Sequence, residues 1–284
     1  MGRAAISLHG GGISLADLVT KSRFEPAAAA TILLGGWWYL AATHRLAARG
    51  RQWPRRRRAA YLSALAVATL ATQTGIATYD STSFTTHVVQ HVLLGMVVPV
   101  LLALGAPITL ALQSAPRGLQ RRLLAILHSP VVGVVTHPLT AWALFGGSMF
   151  ALYFSRLYAL SLHNTVLHDA IHLDFVLAGC LFFWPIVGLD PIPHRLPFGA
   201  RLVYVLVALP FHTVLGLALL TQTELLAPGL SLADQRAGAA ILWSAGEVMG
   251  LAAMLIVVAQ WMNAEEREAV REDRRLAALL HESP

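Results

Sequence analysis

The chain of 284 residues is 56% hydrophobic and only 13% charged, whereas a soluble domain carries about 25% charged residues. Its formal charge of +6 comes almost wholly from arginine, Lys21 being the only lysine, and an apolar chain with basic flanks points to a membrane protein and away from a nucleic-acid binder. One cysteine, Cys180, leaves no disulfide framework and no CxxC redox or zinc pattern.

Residues 1–26 lack the basic start, apolar middle and small-residue cleavage site of a secretory signal. Within them "LHGGGISLADLV" reads as a loop followed by a short amphipathic turn, and the segment is expected to be extracytoplasmic. A bilayer core of about 30 Å requires about 20 apolar residues per crossing. Seven segments meet that need, near 27–47, 59–79, 85–112, 130–154, 163–188, 199–222 and 234–262. The third is overlong and holds Pro99 and Pro107. It is expected to kink at Pro99 and break near "LGAP", with the bend inside the bundle where neighbours satisfy the freed backbone groups. The stretch "RGLQRRLLAILHS" at 117–129 reads as a basic amphipathic helix along the inner membrane interface. In the seventh segment, Gly246 and Gly250 of "GEVMG" form a small-xxx-small pattern suited to close helix packing. The tail "NAEEREAVREDRRLAALLHE" mixes charges at helical spacing and should extend the seventh helix into solvent. The expected fold is all-α: an integral membrane bundle of seven transmembrane helices over 27–262, followed by a cytoplasmic charged helical tail at 263–284.

Orientation follows from the arginines. With seven crossings, 16 of the 21 basic residues fall on one side, seven of them in "HRLAARGRQWPRRRR". Arg3, Lys21, Arg23, Arg156 and Arg236 fall on the other. The N-terminus is therefore expected outside and the C-terminus in the cytoplasm, with the chain in a bacterial inner (plasma) membrane.

That topology places a set of histidines at one rim. "HVVQHVLLG" (87–95) and "HDAIHLDFV" (168–176) each carry two histidines four apart at the outer ends of apolar segments. Residues i and i+4 share a helix face with Cβ atoms about 5–6 Å apart, so each pair can hold one metal ion, and two adjacent pairs can build a four-nitrogen site. Imidazole suits copper, zinc, iron and nickel. The primary metal candidates are His87, His91, His168 and His172. His163, His212, Asp174 and Glu247 are further candidates, because ionisable groups within a span are costly and demand a partner. Asp169 and Asp174 could also accept from imidazole N–H groups. Met96, Met149 and Met249 could supply soft sulfur, although methionine is common in packed cores. No HExxH motif is present and no catalytic or cofactor-binding residue is expected.

"HVVQHVLLGMVVPVLLALGAPITLAL", "HDAIHLDFVLAGCLFFWPIVGLDP", "LPFHTVLGLAL" and "DQRAGAAILWSAGE" resemble, in order, the motifs of the CtaG-type cytochrome c oxidase assembly proteins, over roughly Trp37 to Arg275. The resemblance implies a seven-helix membrane fold and a role in respiratory-chain biogenesis, maturing haem–copper oxidase through copper. It implies as partners the cytochrome c oxidase subunits or a copper chaperone, besides membrane lipid, and no nucleic acid. The family's histidine pairs match His87, His91, His168 and His172; its sixth-helix histidine matches His212 and its seventh-helix glutamate Glu247. Where the family pattern reads "HLHF" this chain reads "HLDF", so Asp174 stands in place of a histidine. A haem-binding electron-transfer protein and a scaffold for oxidase subunits without metal are the alternative readings.

Overall fold

The computed structural model describes residues 21–282, with side chains as far as Arg275. The "LHGGGISLADLV" stretch lies outside the described residues. Among these residues the regular elements are all helical. α1 (Pro26–Ala48) opens on a proline at its first position, where the missing N–H costs nothing. α2 (Arg55–Gln73) follows, and Thr74 caps the short α3 (Gly75–Tyr79). Ser83 then caps α4 (Phe84–Val92) by accepting from the Thr86 amide. A π-helical turn (Leu93–Val97) leads into α5 (Val98–Gly105), and α6 (Pro107–Ser114) begins after Ala106. α7 (Arg117–Leu127), α8 (Pro130–Val135), α9 (Pro138–Tyr153) and α10 (Leu157–Ser161) lead to α11 (Thr165–Val187), whose start is capped by Asn164. α12 (Phe198–Thr221) and α13 (Leu232–Glu282) complete the chain.

Each of the seven apolar segments is helical, and among the described residues five stretches are long and apolar enough to cross a membrane: Arg55–Tyr79, Phe84–Ser114, Thr165–Val187, Phe198–Thr221 and Leu232–Arg275. α1 has a comparable length of 23 residues, but its Gly-Gly-Trp-Trp-Tyr centre dilutes its apolar character. The segment at 130–154 is not one helix. Pro138 disfavours helical backbone at His137 and divides it into α8 and a 16-residue α9. Outward faces carry Leu33, Leu34, Leu173, Leu177, Val203, Leu206, Leu251 and Leu255, all exposed. An apolar surface of this extent suits lipid and not water.

The long third segment departs from a regular α-helix before Pro99 and breaks at "LGAP". Pro99 has no N–H to offer the Gly95 carbonyl, and the π-turn just before it, where Val98 N–H bonds Leu93 O, absorbs the irregularity. At "LGAP" the chain breaks at Ala106, with φ 49° and ψ 55°. That left-handed conformation costs a residue with a Cβ about 1–2 kcal/mol. The fresh helix start that follows is capped by a carboxylate. Asp190, 2% exposed, accepts from Thr109 N at 2.7 Å, Ile108 N at 3.2 Å and Trp184 Nε1 at 3.0 Å. An Asp190→Ala variant leaves these part-buried donors without their acceptor, at up to about 1–3 kcal/mol for each. Its thermal midpoint in detergent should fall clearly below that of wild type, whereas an unchanged midpoint would show the cap to be dispensable.

The main core joins α4, the π-turn, α9, α11, α12 and α13 through Phe84, Met96, Phe145, Met149, Phe175, Phe182, Leu215 and Leu242. The small residues of "GEVMG" serve the close packing of α12 and α13: a Cβ on Gly246 would lie 2.6 Å from His212, and one on Gly250 2.3 Å from Leu209. The charged tail continues α13 without a break, as its helical spacing predicts.

Candidate metal centre

Two helices carry the paired histidines, and local chemistry fixes where each begins. α4 is anchored from outside itself: Asp234, in the first turn of α13, accepts from Phe84 N at 2.7 Å and Thr85 N at 3.2 Å. A carboxylate at a helix N-terminus satisfies open N–H groups and complements the helix dipole. α11 is capped by Asn164, whose Oδ1 accepts from Leu167 N at 3.1 Å. The two helices then approach almost backbone to backbone. A Cβ built on Gly179 would lie 2.1 Å from the Gly95 carbonyl oxygen and 2.7 Å from Pro99. Gly95 is one turn beyond His91, and Gly179 is two turns beyond His172, so this crossing sets the separation of the histidine pairs.

The four rings lie in one buried cluster, in which His168 and His172, but not His87 or His91, belong to a group of three donors within 4.8 Å of one another. His87 and His91 have centroids 3.9 Å apart, and His168 and His172 4.3 Å. Across the interface His87 is 6.1 Å from His168 and His91 is 5.6 Å from His172. None is more than 7% exposed. Both ring nitrogens of His87 and the Nε2 atoms of His91 and His172 are buried without a hydrogen-bond partner. Such groups cost about 1–3 kcal/mol each when left unpaired, and a bound metal ion would relieve that cost. His91 is oriented by Tyr153, whose hydroxyl lies 3.2 Å from Nδ1, and by Phe175, 4.3 Å from its ring. Tyr158 covers His87 at 4.7 Å.

A carboxylate joins them. Asp80, fully buried, places Oδ2 3.4 Å from His168 Nε2. Donor atoms of Asp80, His168 and His172 all lie within 4.8 Å of one another. Glu25, Asp169 and His172 form a second such group, in which Asp169 is exposed and Glu25 half-buried. This second group forms an acidic rim beside the buried cluster. Arg23 lies there, 3.6 Å from Glu25 and 3.9 Å from Asp80. Burial pushes the Asp80 carboxyl up to about 7, with the Arg23 guanidinium opposing the rise and Glu25 adding to it.

The remaining candidates go elsewhere. His163 is exposed in the turn before α11. Asp174 is also exposed and lies against Ser148 of α9, not against the imidazoles. His212 is buried deeper in the bundle, among Phe145, Phe211 and Gly246. Glu247 accepts from Thr213 Oγ1 at 2.6 Å, so its costly carboxylate has a partner. Spacing alone did not single out Asp80, Tyr153 and Tyr158. Asp80 had one signal: it is the acid in "YDSTSFTT", a connection without arginine just ahead of His87.

These features define a helical membrane protein with a buried histidine cluster at one end of its bundle. The family model described as cytochrome c oxidase caa3 assembly factor (Caa3_CtaG) matches residues 37–264, and the chain belongs to this family. Among curated proteins it is 36% identical to an uncharacterised protein of Mycobacterium leprae, over 79% of this chain and 37% of that protein. It is 34% identical to uncharacterised proteins of Mycobacterium bovis and Mycobacterium tuberculosis, over 92% of this chain and 42% of each. The chain thus spans about two fifths of the length of these relatives. No solved structure matches it.

Proposed function

We propose that this chain is a seven-span protein of the bacterial inner membrane that holds copper at the cluster of Asp80, His87, His91, His168 and His172 and passes it to a cytochrome c oxidase subunit during assembly. The family supplies the assembly role. The copper role rests on one observation: four buried imidazoles from two helices lie in one cluster, with ring nitrogens that have no protein partner. In this reading α1 and the α8–α9 pair provide the two crossings beyond the five long apolar stretches. The arginine-rich connections face the cytoplasm, as does the charged tail at 263–284. The N-terminal segment and the histidine cluster face outward, where a donor chaperone or the oxidase subunit can reach the acidic rim.

An ion held this way is cargo, so the site must release it. Neutral imidazoles and one carboxylate bind transition metals reversibly and with pH dependence. Haem is a poorer occupant, because the rings within each pair sit only 3.9 and 4.3 Å apart and Phe175 packs on His91 at 4.3 Å. That arrangement offers a compact ion a pocket and a macrocycle no slot.

Metal analysis of detergent-purified protein tests the reading. Wild type is expected to retain copper on the imidazole nitrogens, and a variant with all four histidines replaced by alanine is expected to lose that nitrogen-bound copper. Equal copper in both, or a Soret band in wild type, would overturn it. Asp80→Asn keeps the shape but removes the charge beside His168, and copper affinity should fall about 10–100-fold, the usual cost of losing a carboxylate that supports a metal-binding histidine. Competition against a copper chelator reads this directly.

A further inference from the structure

Deeper in the bundle a second, chemically different set of donors surrounds a small cavity. Met96 from the π-turn, His212 from α12 and Met249 from α13 line it, with Phe182, Phe183 and Gly246 among the other walls. Its free space is about 20 Å³, which admits one occupant the size of a water molecule or a single ion. His212 is 5% exposed and its Nε2 is buried without a hydrogen-bond partner. Met96 is 1% exposed, so its thioether is also shielded from solvent. A buried water needs two to four polar partners, and this lining offers one imidazole nitrogen in an otherwise apolar or thioether wall.

We propose that Met96, His212 and Met249 form a site for one Cu(I) ion, separate from the outer cluster. Thioether sulfur and neutral imidazole are soft donors that select Cu(I) over harder divalent ions. A monovalent ion with neutral ligands also suits an apolar cavity better than a divalent one, because the cost of burying charge rises steeply with its magnitude. No carboxylate lines the cavity, and that of Glu247, next to Gly246 in sequence, is held by Thr213. The π-turn bears on this directly. It carries Met96, and turns of this kind recur where a helix is reshaped for function. Met96 comes five residues after His91, or about 7–8 Å further along the helix, so the soft site lies below the outer cluster on the same element. The proposal extends the copper reading of this protein, but its ligands are independent of the outer histidines.

X-ray absorption at the copper edge, on full-length protein loaded anaerobically with Cu(I), tests it without any variant. Copper–sulfur scattering is expected in wild type; neighbours restricted to nitrogen and oxygen would overturn the proposal. Chelator competition then counts the ions. The variant lacking His87, His91, His168 and His172 should keep about one Cu(I) per chain with sulfur ligation. The Met96→Leu/Met249→Leu variant, which conserves volume, should lose that ion and all sulfur scattering while keeping outer-cluster copper. Met249→Leu alone, at a half-buried position, is the fallback if the double variant fails to fold, and should weaken Cu(I) binding at least tenfold. Outer copper that survives in a protein with no sulfur-bound ion would sink the soft site and leave the outer one standing. Sulfur-bound copper that survives where the outer histidines make no difference would do the reverse.

Discussion

Replacing His168 and His172 together by alanine should abolish oxidase maturation while leaving the protein inserted in the membrane at its normal level. These two rings belong to α11, face His87 and His91 across the helix crossing, and share the Asp80 carboxylate. Removing a partner that only supports a metal ligand already costs about 10–100-fold in affinity. Loss of two of four imidazoles should therefore lower copper affinity by more than about 100-fold. In cells the readout is cytochrome c oxidase activity and the copper content of the enzyme, with an immunoblot confirming insertion. His163→Ala and Asp174→Ala should leave both at wild-type values, because those side chains are exposed and outside the cluster. Normal oxidase copper in the double variant would leave the family's assembly role intact but move it away from metal delivery, towards a scaffold for oxidase subunits.

The asymmetry between what could and could not be read in the sequence has a physical origin. The i,i+4 spacing of His87 with His91 and of His168 with His172 is a property of a single helix, so the sharing of a face was legible before any fold was known. Pro99 and "LGAP" were likewise legible as a disturbance and a break of the helix, because a proline's missing N–H is a local fact. Contacts between segments were not. Asp80 reaches His168 across 88 positions of chain and Asp234 caps α4 from α13, and no periodicity records either. Asp174 illustrates the opposite error of inference. It is only two residues from His172, yet two residues on a helix is a rotation of about 200°, so it faces α9 while His172 faces inward. The apolar run at 130–154 was long enough for one crossing, but a single proline at 138 divided it into two helices.

Gly179→Ala should be the most damaging change that touches no donor atom. The added methyl would lie 2.1 Å from the Gly95 carbonyl oxygen and 2.9 Å from its carbon, so main chain must move. Overpacking in a well-filled core costs about 1–3 kcal/mol even when side chains can give way. Here the first obstacle is backbone, so the upper end of that range is expected. The helices can relieve the clash only by separating, which carries His168 and His172 away from His87 and His91. A loss of thermal stability in detergent and a loss of bound copper should therefore appear together. Gly95→Ala meets only the Phe175 ring edge, at 3.1 Å, and should show a smaller version of the same effect. Gly147→Ala on α9 meets nothing within 4 Å and should be neutral or slightly stabilising, since alanine is favoured over glycine in a helix by about 1 kcal/mol. Thermal unfolding and copper retention measured across the three variants would rank Gly179 worst, then Gly95, then Gly147. Wild-type copper in Gly179→Ala would mean that the closeness of this crossing does not set the spacing of the four imidazoles.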